Sequence, residues 1–179
     1  MEQINKADPA GTANICFTGG EPFMQSSQTL YDVVQSFADI SGHTSIEFFT
    51  NGTYHFPDWA IDEAYFILDW KLPGSGETFD KGPGPKLDQT RKENAYRIGA
   101  VEGNVIKFTI ADRLDYDRAV AAAEHFKERD DWRADFFYGV AWGKLEPKKL
   151  IDWVLEDGFD WKYNHQIHNV VWDRTQRGI

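Results

Sequence analysis

The chain is poor in cysteine: of 179 residues, only Cys16 carries a thiol. One thiol forms no internal disulfide and cannot by itself hold a metal cluster. The chain is also short of positive charge, with 19 lysines and arginines against 29 aspartates and glutamates and a formal net charge of -10. Such a balance works against long-range attraction to nucleic-acid phosphates or anionic lipid, so no nucleic-acid partner is expected. No apolar run approaches the ~18 residues of a membrane span. The opening stretch MEQINKADPAGT is polar, unlike a secretory signal. A cytoplasmic protein with no membrane partner is expected.

What is present suffices for a packed interior. Hydrophobic residues make up 41% of the chain and aromatic residues 15%, and chains of about 100–200 residues usually build one core. A single domain over residues 1–179 is expected. The tryptophans Trp132, Trp142, Trp153 and Trp172 stand among charged residues rather than in a basic groove, which points to core or interface packing.

Short β-type runs alternate with helical periodicity. Candidate strands are Ala13 to Phe17, Ser45 to Phe49, Tyr65 to Leu68, Val105 to Ile110, Asp135 to Val140 and Tyr163 to His168. A helix from Ser27 to Ile40 places Leu30, Val33, Val34, Phe37 and Ile40 on a core-facing side, with Ser26 or Ser27 as cap and Gly42 as stop. Further helices are expected near Thr90 to Ile98, Tyr116 to Lys127 and Pro147 to Leu155, the last with Pro147 in its first turn and Gly158 just past its end. Alternation of this kind predicts an α/β fold with a mostly parallel sheet.

Ligands of such sheets lie beyond the carboxyl ends of the strands. The residues there are Thr18-Gly19-Gly20-Glu21, Thr50-Asn51-Gly52 and Lys71 onward, with Gln166 and His168 inside the last strand. The glycine- and proline-rich stretch from Lys71 to Lys86 reads either as a linker or as a functional lid. The sequon Asn51-Gly52-Thr53 reads as a turn.

The stretch CFTGGEPFMQ (16–25) ends an apolar run in two glycines backed by an acid. Two glycines accept positive φ cheaply and expose backbone N–H and C=O groups. Glu21 adds an acceptor suited to an ammonium group, and Pro22 fixes the exit direction. The pattern suits a small zwitterion, though a plain turn accounts for it as well.

The same stretch resembles the TGGEP motif of radical S-adenosylmethionine enzymes, in which this strand end binds the amino group of the cofactor's methionine. FFTNGT (48–53), LDWKLPGSGE (68–77), VIKFTIADRLDYDRA (105–119), GVAWGKLEPKKLIDWVLEDG (139–158) and HQIHNVVWDRTQRGI (165–179) resemble, in order, parts of the 7-carboxy-7-deazaguanine synthase family. The resemblance runs from Ala13 to Ile179. It implies a partial (β/α) barrel of the radical S-adenosylmethionine type, a lyase of queuosine and 7-deazapurine biosynthesis. The reaction implied turns 6-carboxy-5,6,7,8-tetrahydropterin into 7-carboxy-7-deazaguanine with loss of ammonia. The implied cofactors are S-adenosylmethionine, a [4Fe–4S] cluster and Mg2+, with a homodimer as a further expectation.

Carried over by position, the resemblance makes Thr18, Gly19, Gly20, Glu21, Asn51, Lys71 and Ser75 cofactor-binding residues, with Gly74 where the family has a serine. Gln166 and His168 become substrate-binding residues, with Asn169 in place of the family's lysine. Residues two apart on a strand share a face, so Gln166 and His168 look into the barrel while His165 points away. His165-x-x-His168 is therefore no chelate, and no metal-ligating residue is assigned. His168 also reads as a buried histidine satisfied by a neighbour.

The departure is an absence. Three cysteines, usually C-x3-C-x2-C, hold the cluster in such enzymes, and the chain has none but Cys16, which reads as a small core residue. By the resemblance, the family's first strand, cluster loop and magnesium-binding threonine are expected to precede the region this sequence covers. The expectation is an N-terminally truncated form, from a partial gene, a split gene or an internal start at Met1, that is inactive on its own, with a separate N-terminal segment as one candidate partner. The alternatives are a non-catalytic binding or regulatory homologue, and a radical enzyme with another small substrate.

Overall fold

A computed structural model describes residues 14–38, 45–76, 84–167 and 171. Six strands alternate with helices. The strands are β1 (Ile15–Phe17), β2 (Ile46–Thr50), β3 (Tyr65–Trp70), β4 (Val105–Ile110), β5 (Asp135–Val140) and β6 (Lys162–Tyr163). The helices are α1 (Ser27–Ala38), α2 (Asp58–Glu63), α3 (Gly84–Gly99), α4 (Arg113–Lys127) and α5 (Pro147–Asp157). The strands form one sheet in the order β1-β2-β3-β4-β5-β6, and every neighbouring pair is parallel. Strictly sequential order has no point where the winding reverses, so it traces an arc of a (β/α) barrel rather than a doubly wound sheet.

Alternation along the strands separates the two faces. Phe48, Phe66, Leu68, Ile106, Phe108, Ile110, Phe136 and Tyr138 are buried in one cluster with helix residues such as Leu30, Val34, Ile98, Tyr116, Phe126 and Leu150. Their in-between neighbours Glu47, Phe49, Ile67, Asp69, Lys107, Thr109 and Phe137 face the other way, where cavities open. Period 2 makes this split inevitable once helices cover one face. Apolar burial contributes roughly 25 cal/mol per Å2, so the aromatic side of the sheet carries most of the stabilisation.

The caps explain several boundaries. Ser26 caps α1, its Oγ accepting from Thr29 N at 3.1 Å. Asp112 caps α4, accepting from Asp115 N at 2.9 Å. Pro147 sits at the start of α5, and Gly158 ends it with φ 68°, the left-handed conformation that glycine takes cheaply.

Some expectations need correction. Val33 is 38% exposed rather than core-facing, because Leu30, Val34 and Phe37 already fill the side of α1 toward the sheet. Helix α3 begins at Gly84, within the stretch read as linker or lid, and α2 was not foreseen because six residues carry too little periodicity. Strand β2 runs one residue further at its end than expected, to Thr50, and β3 two further, to Trp70. Strand β6 stops at Tyr163: Asn164 N still donates to Tyr138 O at 2.7 Å, but Ile167 N then turns back to His165 O. Gln166 therefore follows a strand rather than lying in one.

Cys16 is exposed, not a core residue. Its register partner is Glu47, on the face without helices, and its Sγ donates to Glu47 Oε2 at 3.5 Å. Burial, then the Glu47 charge, pushes the thiol above its ordinary pKa. Trp132 stacks on Phe126 and Phe136, and Trp153 packs against the core, whereas Trp142 is 37% exposed. Ile40, Gly42, His168, Asn169 and Trp172 lie outside the described residues. Among the described residues, no helix is long and apolar enough to cross a membrane.

Candidate functional site

The carboxyl ends of β1, β2 and β3 converge through Glu21. Its carboxylate, 9% exposed, accepts from Thr50 Oγ1 at 2.6 Å, Asn51 N at 2.8 Å and Phe23 N at 3.3 Å. A buried carboxylate needs such donors. Here they brace the end of β1 against the end of β2. Phe23, next along a short 3-10 turn after Pro22, drives its ring against Phe48 and Phe56 at centroid distances of 4.8 and 4.7 Å. The acid and the aromatic ring together hold the turn from below.

Gly19 and Gly20 have φ of 83° and 61°, and a Cβ on either would meet nothing within 4 Å. Backbone conformation, not crowding, therefore calls for glycine here. The two residues stand exposed over a cavity of about 430 Å3 lined by Thr18, Gly19, Gly20, Thr50, Asn51, Asp69, Lys71 and Lys107, among others. Asn51 Oδ1 accepts from Thr53 N at 3.0 Å and Thr53 Oγ1 at 2.6 Å. The sequon is thus a tight turn, with Gly52 at φ 74°.

After β3, the Lys71–Gly76 segment is tied down from three elements. Lys71 Nζ pairs with Asp69 Oδ2 at 2.8 Å, and Arg91 Nη1 of α3 donates to Lys71 O at 3.0 Å. Arg91 also stacks over Trp70 at 3.9 Å. Gly74 N donates to Asp115 Oδ1 at 2.8 Å, and Gly74 O accepts from Lys144 Nζ at 2.9 Å. A Cβ at Gly74 would run into the Asp115 carboxylate and to 2.9 Å from Ala111 Cβ. That contact explains glycine where the resembled family carries serine. Ser75 Oγ donates to Leu72 O at 2.7 Å.

A second cavity of about 340 Å3 adjoins the first, lined by Asp69, Lys71, Gly74, Ser75, Lys107, Thr109, Ala141, Lys144 and Gln166, among others. The two share Asp69, Lys71 and Lys107 as a common wall. Thr18, Gly19, Gly20, Asn51 and Lys71 thus line one cavity, while Lys71, Ser75 and Gln166 line the other. Glu21 lies behind the first. Sequence reasoning missed Asp69, Lys107 and Lys144. The first two lie inside strands, and their signal was the open-face alternation of β3 and β4 rather than a strand-end motif.

The donor set allows a fit test for the implied groups. Three thiolates for an iron–sulfur cluster do not fit a chain with one cysteine. Among the described residues, no three His, Cys, Asp or Glu side chains group to hold a metal ion. S-adenosylmethionine does fit: the first cavity offers open backbone at positive-φ glycines for an ammonium group, and polar walls beyond it.

Sequential parallel strands with cavities at their carboxyl ends define an α/β protein of the partial (β/α)-barrel kind. Curated proteins similar to it bear the name 7-carboxy-7-deazaguanine synthase. The protein of Clostridium acetobutylicum is 22% identical over 182 residues, covering 99% of this chain and 75% of that protein. That of Thermoplasma acidophilum is 26% identical over 159 residues, covering 88% and 66% respectively. That of Koribacter versatilis is 26% identical over 194 residues, covering 99% and 76%. The chain spans about two thirds to three quarters of the length of these relatives. No protein-family model and no solved structure matches it. The resemblance read from the sequence is borne out by these distant but consistent relatives.

Proposed function

We propose that the chain is the ligand-holding part of a radical S-adenosylmethionine lyase, a 7-carboxy-7-deazaguanine synthase. The net reaction converts 6-carboxy-5,6,7,8-tetrahydropterin to 7-carboxy-7-deazaguanine and ammonia. The observation that carries this reading is the cavity at Thr18-Gly19-Gly20, whose open backbone is braced by Glu21 against the Thr50-Asn51 end of β2.

S-adenosylmethionine supplies the hydrogen-abstracting radical of this chemistry. The chain's residues supply position. Backbone carbonyls at Thr18, Gly19 and Gly20 take the cofactor's ammonium group, and Glu21 places a negative charge directly behind them. Asn51 and Lys71 contact the cofactor from the walls of the first cavity and Ser75 from the second, where Gln166 holds the pterin; His168, outside the described residues, is a further pterin ligand in this reading. Two adjoining cavities bring two small ligands edge to edge and reduce the water between them.

Microcalorimetry of this chain with S-adenosylmethionine and with 5′-methylthioadenosine, which lacks the amino-acid part, tests the cradle. Loss of a charge-assisted hydrogen bond of ~1.5–3 kcal/mol weakens binding by roughly 10- to 100-fold. Equal affinity for the two, or none for either, would refute the cofactor assignment.

The single thiol favours a second reading, binding without turnover. Anaerobic iron–sulfur reconstitution of this chain, and of the chain with whatever coding sequence lies upstream, separates the readings. Turnover only in the extended form supports the lyase; turnover in neither supports the binding protein.

A further inference from the structure

The middle of the open face holds a lysine that the reading above does not use. Lys107 of β4 is half-buried, and its side chain makes no hydrogen bond or ion pair with any described residue. It borders the two strand-end cavities and also a hollow of about 710 Å3 lower on the same face. Its register partner on β3 is Asp69. That carboxylate is turned to Lys71 through Oδ2, and its Oδ1 is buried without a hydrogen-bond partner.

A half-buried ammonium group with no ion-pair partner among the described residues gains from one, and a buried acceptor without a donor is costly. Neighbouring parallel strands lie roughly 4.8 Å apart, so one ligand edge with a carboxylate beside an N–H can reach both groups. Lys144 adds a third positive charge to the smaller cavity. Among the described residues lining the smaller cavity, Asp69 is the one carboxylate against these three cations. A local excess of positive charge in a chain of net charge -10 selects for an anion at this spot.

We propose that Lys107 binds the carboxylate of the substrate while Asp69 Oδ1 accepts a ring N–H beside it, so that this pair sets both the ligand's charge requirement and its orientation. The inference rests on the pterin reading above for the ring, but on Lys107 alone for charge selection. It makes Lys107 a specificity-determining residue on the wall between the two cavities, which fixes the carboxylated edge of the ligand against the cofactor cavity.

The test is fluorescence and calorimetric titration of the full chain under anaerobic conditions, with S-adenosylmethionine present, using pterin-6-carboxylate and 6-methylpterin, both in their 5,6,7,8-tetrahydro forms that carry the N5–H, and pyrazine-2-carboxylate. Lys107→Gln and Lys107→Arg are compared with the wild type. The expected result is a preference of about 10-fold or more for pterin-6-carboxylate over 6-methylpterin. Lys107→Gln should abolish that preference with 6-methylpterin affinity unchanged, and Lys107→Arg should retain most of it. Pterin binding without a carboxylate preference, or with one that survives Lys107→Gln, overturns the Lys107 role and leaves the pterin reading standing. Pyrazine-2-carboxylate binding that is lost in Lys107→Gln, with neither pterin bound, upholds Lys107 and overturns the pterin reading. Binding of none of the three overturns both.

Discussion

Removing the Glu21 carboxylate should destabilise the whole chain, not merely weaken a ligand. In Glu21→Ala, the Asn51 and Phe23 N–H groups and the Thr50 hydroxyl lose acceptors now at 2.8, 3.3 and 2.6 Å. Hydrogen bonds to a charged group are worth ~1.5–3 kcal/mol each, but neighbours in one network do not add. About 3 kcal/mol is expected, equivalent at ~2–4 °C per kcal/mol to a fall in Tm of about 6–12 °C for a chain of this size. Glu21→Gln keeps one oxygen and points an amide donor at another donor, so about 2 kcal/mol is expected. Urea unfolding followed by circular dichroism gives the shift in midpoint, and an unchanged slope shows that it reports stability. A solvated carboxylate reserved for a ligand would instead cost affinity with stability within ~0.5 kcal/mol of wild type. That result would refute the bracing role.

Two further outcomes follow from polar groups on and beside α3. Asn94 is fully buried; its Nδ2 donates to Gly52 O at 2.9 Å and Tyr54 O at 2.7 Å, and its Oδ1 accepts from Phe56 N at 3.1 Å. Asn94→Ala should cost about 3 kcal/mol in urea unfolding and loosen the turn after β2, seen as faster amide exchange at Phe56; a cost under ~0.5 kcal/mol would contradict this. Burial opposes the charge of Asp88, yet hydrogen bonds from Lys92 and Arg91, helped by their charges, hold its carboxyl below the ordinary value. A depressed carboxylate contributes stability that is present above its unfolded pKa of ~3.9 and lost as pH falls through the lower folded value. The stability gap between wild type and Asp88→Asn should therefore be constant above about pH 5 and shrink below about pH 4. A gap that widens on acidification would contradict the sign.

The all-parallel sheet was legible because β4 and β5 carry apolar residues at alternate positions bounded by polar turns, as in VIKFTI and DFFYGV. Strand-end polar groups were legible for the same reason, since a βα alternation leaves few other places for Thr18 to Glu21. The inward role of Glu21 was not legible. An acid after two glycines looks alike in sequence whether it faces solvent or its own backbone, and only the return of Thr50 and Asn51 to the same spot decides. Cys16 misled for a related reason: within ICF the apolar residues on either side pack inward, which forces the middle one onto the open face. Gln166 lines the smaller cavity but follows β6 instead of lying in a strand, because β6 has no further neighbour among the described residues to extend it past Tyr163.

The bracing of Glu21 bears on what a chain with one thiol can retain. The ends of β1 and β2 are fixed to each other by side-chain and backbone donors that lie within the described residues, and Phe23 anchors the same turn in the aromatic cluster with Phe48, Phe56 and Phe66. None of these contacts uses a metal or a thiolate. The shape of the first cavity therefore depends on the core, not on a cluster, and the second is held by Asp115, Arg91 and Lys144 in the same way. Ligand affinity and turnover are thus separable on physical grounds. On the proposed lyase reading, the first rests on groups already positioned at the strand ends. On that reading, the second requires three cluster thiolates, and these 179 residues contain a single cysteine.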